Sequence, residues 1–169
     1  MIDALQLPTE LRTGEAMIRR ATLDDLHDLM RLLSDDPISA SRGDGNTADD
    51  EPAYARALSQ IIDDPSNELV VATEGEVVVG TLQLTVIPGM ARRGSTRLLV
   101  EAVRVASERR SAGIGGAMMR WVMDAAATAT GASLVQLTSD ADRIDAHRFY
   151  TRLGFVDSHV GFKYRVPTA

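Results

Sequence analysis

The sequence predicts an α/β fold built on a mixed sheet, and three observations carry that prediction. Stretches of period-two alternation and stretches of helical periodicity follow one another along the chain, glycines and prolines fall at the joins, and hairpin-like strand pairs sit among the helices. Helices between strands, mixed with hairpins, imply an α/β sandwich rather than a strictly alternating parallel fold. At 169 residues the chain suits one domain with a real core.

Residues 1–16 read as an irregular leader and 17–169 as the single domain. A first strand falls around Ala16–Arg20. The helix after it opens with Thr22 and Asp25 at capping-box spacing, Asp standing where Glu is usual, and Leu26, Leu29, Met30 and Leu33 recur at helical intervals. Ser34–Glu51 holds six acids, one arginine, Pro37 and two glycines, which predicts a mobile surface loop. Pro52 suits the first position of a second helix, whose face carries Tyr54, Leu58, Ile61 and Ile62 before Pro65 ends it.

The pattern then turns to strands. Leu69–Thr73 and Val77–Val86 flank a Glu74-Gly75 turn, and Leu82, Leu84 and Val86 alternate with Gln83 and Thr85, so the pair reads as an antiparallel hairpin. Pro88-Gly89 breaks the chain before a long strand over Ser95–Val105. A helix over Gly113–Thr130 ends at Gly131, a strand follows at Leu134–Thr138, and a helix near Arg143–Leu153 ends at Gly154. Two short strands, Phe155–Ser158 and Phe162–Val166, close the order β-α-α-β-β-β-α-β-α-β-β.

Composition narrows the function classes. No cysteine is present, which removes disulfides, thiolate metal sites and a Cys-linked acyl intermediate. His27, His147 and His159 are scattered, so no metal site is expected. No uncharged run exceeds 15 residues, and the one from Ala125 to Ser139, with Gly131 and several threonines, is too short and too polar to span a bilayer. Residues 1–16 carry Asp3, Glu10, Arg12 and Glu15 and lack an apolar signal core, so a cytoplasmic location is expected. A net charge of −6 argues against unspecific binding to nucleic acid, while a local basic loop stays compatible with a phosphate-bearing ligand.

Such a loop lies between Val103 and Met119, where Arg109, Arg110, Gly113, Gly115 and Gly116 join a strand end to a helix start. Glycine costs a helix interior roughly 0.8–1 kcal/mol against alanine. Two of them in the first turns make sense where something approaches the backbone closely. Free N–H groups and the positive dipole end favour a phosphate by about 0.3–1 kcal/mol per charge, and disfavour arginines. An anion between the arginines and the helix reconciles the two. Gly113-x-Gly115-x-x-Met118 fails the dinucleotide fingerprint, whose third glycine falls on Met118, and no Gly-Lys-Ser/Thr follows.

What remains, Arg110-x-x-Gly113-x-Gly115 after a Val-x-Val strand end, resembles the coenzyme A pyrophosphate loop of the GNAT superfamily of N-acetyltransferases. Taken alone, the loop also reads as an ordinary glycine-rich strand-to-helix turn. Further on, Phe149-Tyr150-Thr-Arg-Leu153-Gly154-Phe155 matches the Phe-Tyr-x-x-Leu-Gly-Phe signature that closes the same superfamily's fold. With two motifs in order over residues 17–166, the chain is identified as a member. The resemblance implies an acyl-CoA N-acyltransferase fold with a mixed, mostly antiparallel central sheet and helices on both faces.

The same resemblance implies acetyl-CoA as cosubstrate and no metal. Main-chain groups of Val103, Arg104 and Val105 are expected on the pantetheine arm. Arg110, with backbone N–H groups of Ser111, Ala112, Gly113, Ile114, Gly115 and Gly116, is expected on the pyrophosphate. Many relatives have glycine where Ser111 stands and a basic residue where Ala112 stands. Arg143 stands where many carry a cofactor-contacting asparagine; it either pairs with a cofactor phosphate or caps a neighbouring carboxylate. Tyr150 is expected to face the coenzyme A sulfur, with a plain core role as the alternative. Homodimerisation is a further family-level expectation.

Acetyl transfer to an amine needs a neutral nucleophile, yet an alkylamine of pKa near 10.4 is only about 0.04 % unprotonated at pH 7. Glu101 is the candidate base, because strand parity puts it on one face with Val103 and Val105 unless a β-bulge intervenes. A structural or substrate-binding carboxylate, with deprotonation through water, is the alternative. Tyrosine is a weaker acid than a thiol by about 1.5 pKa units, so Tyr150 suits hydrogen bonding to the developing thiolate, with proton transfer late. His147, three residues before Tyr150, either assists it or packs. The acids of Ser34–Glu51 either steer a cationic amine or are merely solvated. The expectation is an N-acetyltransferase acting by direct transfer in a ternary complex on a small-molecule primary amine. A protein or peptide acceptor, and a non-catalytic acyl-CoA-binding regulator, are the alternatives.

Overall fold

The alternation of Leu82 and Leu84 with Gln83 and Thr85 produces the central strand of a six-stranded sheet in a computed structural model that describes residues 2–13 and 16–167. The chain divides into two compact units, residues 1–137 and 138–169. In the first, the strands are β1 (Thr9–Glu10), β2 (Met17–Arg20), β3 (Asn67–Glu74), β4 (Val77–Ile87), β5 (Arg97–Val105) and β6 (Leu134–Leu137), in that spatial order. Neighbours pair antiparallel except β5 and β6, which are parallel. The mixed, mostly antiparallel sheet expected from the sequence is therefore present.

Helices cover both faces. α1 (Leu26–Ser34) and α3 (Glu51–Asp63) pack Leu29, Leu32 and Leu58 against Leu69, Val71 and Val78. Between them lies the single turn α2 (Pro37–Ala40), and a second turn, α4 (Ala91–Gly94), left-handed at Arg92 and Arg93, follows β4. The other face receives α5 (Ile114–Trp121), which runs through a π-helical turn, Val122–Ala126, into α6 (Ala127–Thr130). A Cβ added to Gly80 of β4 would lie 2.9 Å from Met118 Sδ of α5 and 3.1 Å from the Arg104 carbonyl, so glycine is what allows this close approach. No helix among the described residues is long and apolar enough to cross a membrane.

The 3-10 turn Leu23–Asp25 that leads into α1 follows the capping rule with the shorter acid. Asp25 accepts the Thr22 N–H at 2.8 Å and also takes Arg19 in two bonds of 2.7 and 2.8 Å. Burial alone raises the Asp25 carboxyl, but the Arg19 and Thr22 bonds outweigh it and hold the group below its ordinary value.

Three expectations are corrected. The leader is structured: a 3-10 turn at Ile2–Ala4 and β1 place Ile2, Leu5 and Leu11 in the core, because each finds apolar surface to bury. Its residues 1, 14 and 15, like 168 and 169 of the domain, lie outside the described residues. The acidic segment is not a free loop, since Asp36 caps α2 by accepting the Ser39 N–H at 2.7 Å and Ser39 is buried. The two closing strands do not form. The second unit contains one helix, α7 (Ile144–Arg152), and residues 155–167 are irregular, with Phe162 93 % and Tyr164 84 % exposed. A strand pattern without a sheet edge inside its own unit gains no ladder bonds to offset its ordering entropy.

Candidate active site

The floor of the site is β5, and its pairing with β4 is interrupted. Gln83 pairs Glu101 but Thr81 pairs Arg104, so three steps on β5 oppose two on β4. Ala102 absorbs the extra residue at φ +50, a left-handed conformation unusual for a residue with a Cβ. This bulge overturns the parity argument. Glu101 now shares a face with Gln83 and Arg104, the face covered by α1 and α3, whereas Val105 lies opposite Gly80 on the α5 face. Glu101 is exposed and makes no hydrogen bond or ion pair with a described residue, so its carboxylate is open to solvent.

Past Val100 the pairing of β5 with β6 stops. The Val103 carbonyl accepts from Arg104 Nη1 at 2.9 Å and the Val105 carbonyl from Arg110 Nε at 3.3 Å. A carbonyl has two lone pairs, so neither contact exhausts it.

The chain then turns through a 3-10 turn, Ser107–Arg109, into α5. Ser111 adopts φ +67 and Gly113, at the N-cap of α5, φ +87. A Cβ at Gly113 would meet nothing within 4 Å, so that glycine is required by its backbone angle and not by crowding. The first helical bond runs from Ala117 N–H to Gly113 O at 2.9 Å, which leaves the amides of Ile114, Gly115 and Gly116 without an intrahelical acceptor. These amides beside exposed guanidinium groups are what an anionic phosphate needs.

Both arginines of the loop also have carboxylate partners. Arg109 Nη2 lies 2.9 Å from Glu74 Oε2, and Arg110 Nη2 lies 3.4 Å from Asp35 Oδ2. Their placement against the helix start therefore does not by itself require a bound anion. Sequence reasoning missed these partners because Asp35 and Glu74 are distant in the chain.

It also missed Arg120, whose guanidinium lies 3.3–3.7 Å from the position a Gly116 Cβ would take. The i, i+4 spacing was the available signal. The acidic segment contributes two further anchors, since Asp35 Oδ2 accepts the Ser107 N–H at 2.8 Å and Ser39 Oγ accepts from Arg104 Nη2 at 2.6 Å.

In the second unit, the Phe-Tyr-x-x-Leu-Gly-Phe run is a helix terminator with a definite geometry. Phe155 N–H donates to Tyr150 O at 3.1 Å, Gly154 N–H to Thr151 O at 3.0 Å, and Gly154 has φ +94. This is the paired-bond cap in which a left-handed glycine follows the last helical residue, and the apolar contact that accompanies it is Tyr150 against Phe155, ring centroids 5.8 Å apart. Phe149 meets Tyr150 edge-on at 5.1 Å. The ring of Tyr150 thus has a structural task in the helix cap. His147 Nε2 lies 2.7 Å from the Asp140 carbonyl, which only accepts, so that nitrogen carries the proton and the ring is tied to Asp140. Arg143 occupies the N-cap of α7, its N–H donating to Asp140 O at 3.1 Å. Among the described residues no group of three or more His, Cys, Asp or Glu side chains is placed to hold a metal ion.

Residues 26–155 match the sequence profile described as the Acetyltransferase (GNAT) family. Among solved structures, the chain resembles a transcriptional regulator from Bacillus halodurans C-125, with 40 % identity, a TM-score of 0.85, and coverage of 89 % of this chain and 99 % of that one. A protein of Agrobacterium tumefaciens str. C58, provisionally described as an acetyltransferase, matches at 25 % identity and TM-score 0.75, covering 88 % and 99 %. Glucosamine-6-phosphate N-acetyltransferase from Arabidopsis thaliana shares the fold at 16 % identity and TM-score 0.71, covering 90 % and 99 %. No curated protein sequence matches the chain.

Proposed function

The chain belongs to the GNAT acetyltransferase family, and from that premise we propose that it transfers an acetyl group from acetyl-CoA to a primary amine of a small molecule, by direct transfer in a ternary complex. The observation that carries this reading is the row of amides at Ile114, Gly115 and Gly116 without helical acceptors, beside Arg110 at the end of β5. Those amides, with the N–H groups of Ser111 and Gly113, hold the pyrophosphate together with Arg110, whereas the Ala112 N–H, also expected there, donates to the Arg109 carbonyl at 3.3 Å. Main-chain groups of Val103 to Val105 take the pantetheine arm, and Arg143 is a second cation for a phosphate. Residues 17–169 act as one N-acetyltransferase domain in this reading, cytoplasmic and homodimeric as the family suggests.

The amine nitrogen attacks the thioester carbonyl carbon, the C–N bond forms and the C–S bond breaks. Glu101, directly or through a water, takes the proton the ammonium must lose, and the bulge aims it to the side where the acidic segment lies. The Tyr150 hydroxyl donates a hydrogen bond to the departing thiolate. General acid–base groups of this kind contribute roughly 10²–10⁴ in rate.

The test begins with binding. At a hundredfold excess over Kd, acetyl-CoA stabilises the folded protein by about 2.7 kcal/mol. For a chain of this size that raises Tm by roughly 5–11 °C, at 2–4 °C per kcal/mol. Gly113→Asp, which sets a side chain and a negative charge before the phosphates, should abolish the shift; an unchanged shift in the folded variant refutes the assignment. Coenzyme A release across a panel of amines and basic peptides then separates a small-molecule acceptor from a peptide. A second reading, an acyl-CoA-binding regulator without turnover, is favoured by the description of the 40 % identical relative as a transcriptional regulator. Binding without release over the whole panel would decide for it.

A further inference from the structure

We propose that Asp35 is the positioning residue that orients Arg110 for the pyrophosphate, an inference that rests on the acetyl-CoA reading above. Asp35 follows α1 in sequence, far from the glycine loop, yet it reaches that loop twice. Its Oδ2 accepts the Ser107 N–H at 2.8 Å, a short bond that fixes the carboxylate on the loop. The same oxygen and the Asp35 carbonyl each lie 3.4 Å from Arg110 Nη2, while Arg110 Nε donates to Val105 O at 3.3 Å.

These contacts use one edge of the guanidinium, Nε and Nη2. Arg110 Nη1 has no partner among the described residues, so the edge that carries it is open to a ligand. An arginine presents its donors in a rigid fork, and holding one edge fixes the direction of the other. With Arg110 about half exposed, its long stem has rotamers to lose, and a fixed carboxylate loses part of that freedom before the ligand arrives. The Ser107 bond matters here because an acid that itself wandered could not orient anything.

The rival account makes Asp35 a mere negative charge near the phosphates, and it predicts the opposite sign. Removing a repelling charge strengthens coenzyme A binding, whereas removing an orienting partner weakens it. Titration calorimetry with coenzyme A on wild type, Asp35→Asn, Arg110→Ala and the double variant separates them. Asn keeps an oxygen for the Ser107 N–H and loses the charge that holds Arg110.

Asp35→Asn is expected to bind about 1.4- to 5-fold more weakly, the factor to which an exposed ion pair of 0.2–1 kcal/mol converts. In the Arg110→Ala background the same change should have no effect, because nothing is left to orient. Asp35→Glu keeps the charge and displaces the carboxylate; it should also weaken binding, and it serves if the Asn variant fails to fold. Equal or tighter binding by Asp35→Asn, or an undiminished loss in the Arg110→Ala background, overturns the proposal. Wild type that does not bind coenzyme A overturns the acetyl-CoA reading itself. If wild type binds, Arg110→Ala weakens it and the Asp35 variants match wild type, this inference alone falls.

Discussion

Ser111→Gly should make the protein more stable without altering its cofactor site. Ser111 sits at φ +67 between Arg110 and the N-cap glycine. A residue with a Cβ in that left-handed region costs roughly 1–2 kcal/mol. Its hydroxyl makes no hydrogen bond with a described residue that would offset the cost. Glycine relieves the strain but loses about 0.5–1 kcal/mol more backbone entropy on folding. The difference leaves a net gain of about 0.5–1 kcal/mol, or a rise in Tm of roughly 1–4 °C at 2–4 °C per kcal/mol. Thermal unfolding followed by circular dichroism reads this directly. Ser111→Ala should leave Tm near wild type, since it keeps the Cβ and removes only an unbonded hydroxyl, and Ser111→Val should lower it. The shift produced by acetyl-CoA should stay the same size in the glycine variant, because only the main-chain N–H of residue 111 is asked to bind. A Tm for Ser111→Gly at or below wild type would refute the reasoning: either the loop is not left-handed at 111 or the serine has a bonding role.

Tyr150→Phe keeps both ring contacts of the helix cap and removes only the hydroxyl, so cofactor affinity should persist while turnover falls at least about tenfold; full turnover returns Tyr150 to the cap alone. Glu101→Gln should lose far more kcat at pH 7 than near pH 10, where the amine supplies its own neutral form; a rise in KM with kcat intact identifies an acceptor-binding carboxylate instead. Asp25→Asn should destabilise the protein at pH 7 by about 2 kcal/mol, less than the 3–5 of a fully buried pair because Arg19 is 34 % exposed. Asp25 is held below its ordinary pKa, so its contribution is present above about pH 4 and is lost as pH falls through the folded value; denaturant titrations of both proteins should therefore converge below about pH 4.

The elements of the first unit were legible because their signals are local. Alternation in Val77–Val86, the capping spacing of Thr22 and Asp25, and Gly131 as a terminator each depend on a few neighbouring residues. What was not legible depends on partners distant in the chain. The core role of Ile2, Leu5 and Leu11 is set by the surfaces they meet, and nothing within residues 1–16 announces it. Asp35 looks like any solvated acid until Ser107 and Arg110 arrive from 72 and 75 residues away. The closing strands show the converse error, since the alternation over Phe162–Val166 is real in sequence but yields no ladder within its own unit.

The bulge at Ala102 separates two functions that simple strand parity had placed together. Backbone N–H and C=O groups lie near the plane of the sheet, so an extra residue leaves those of Val103 to Val105 at the strand edge whichever way the side chains turn. Side chains have no such indifference, because one inserted residue exchanges the faces beyond it. Glu101 thereby stands with Arg104 on the face of α1 and α3, and Arg104 in turn holds Ser39 of the acidic segment at 2.6 Å. The carboxylate proposed as base and the acidic segment are thus brought to one side of β5, while the main-chain groups proposed for the cofactor stay at its edge. An uninterrupted strand would have turned Glu101 and Arg104 to opposite faces, and the left-handed backbone at Ala102 is the conformation that allows both arrangements at once.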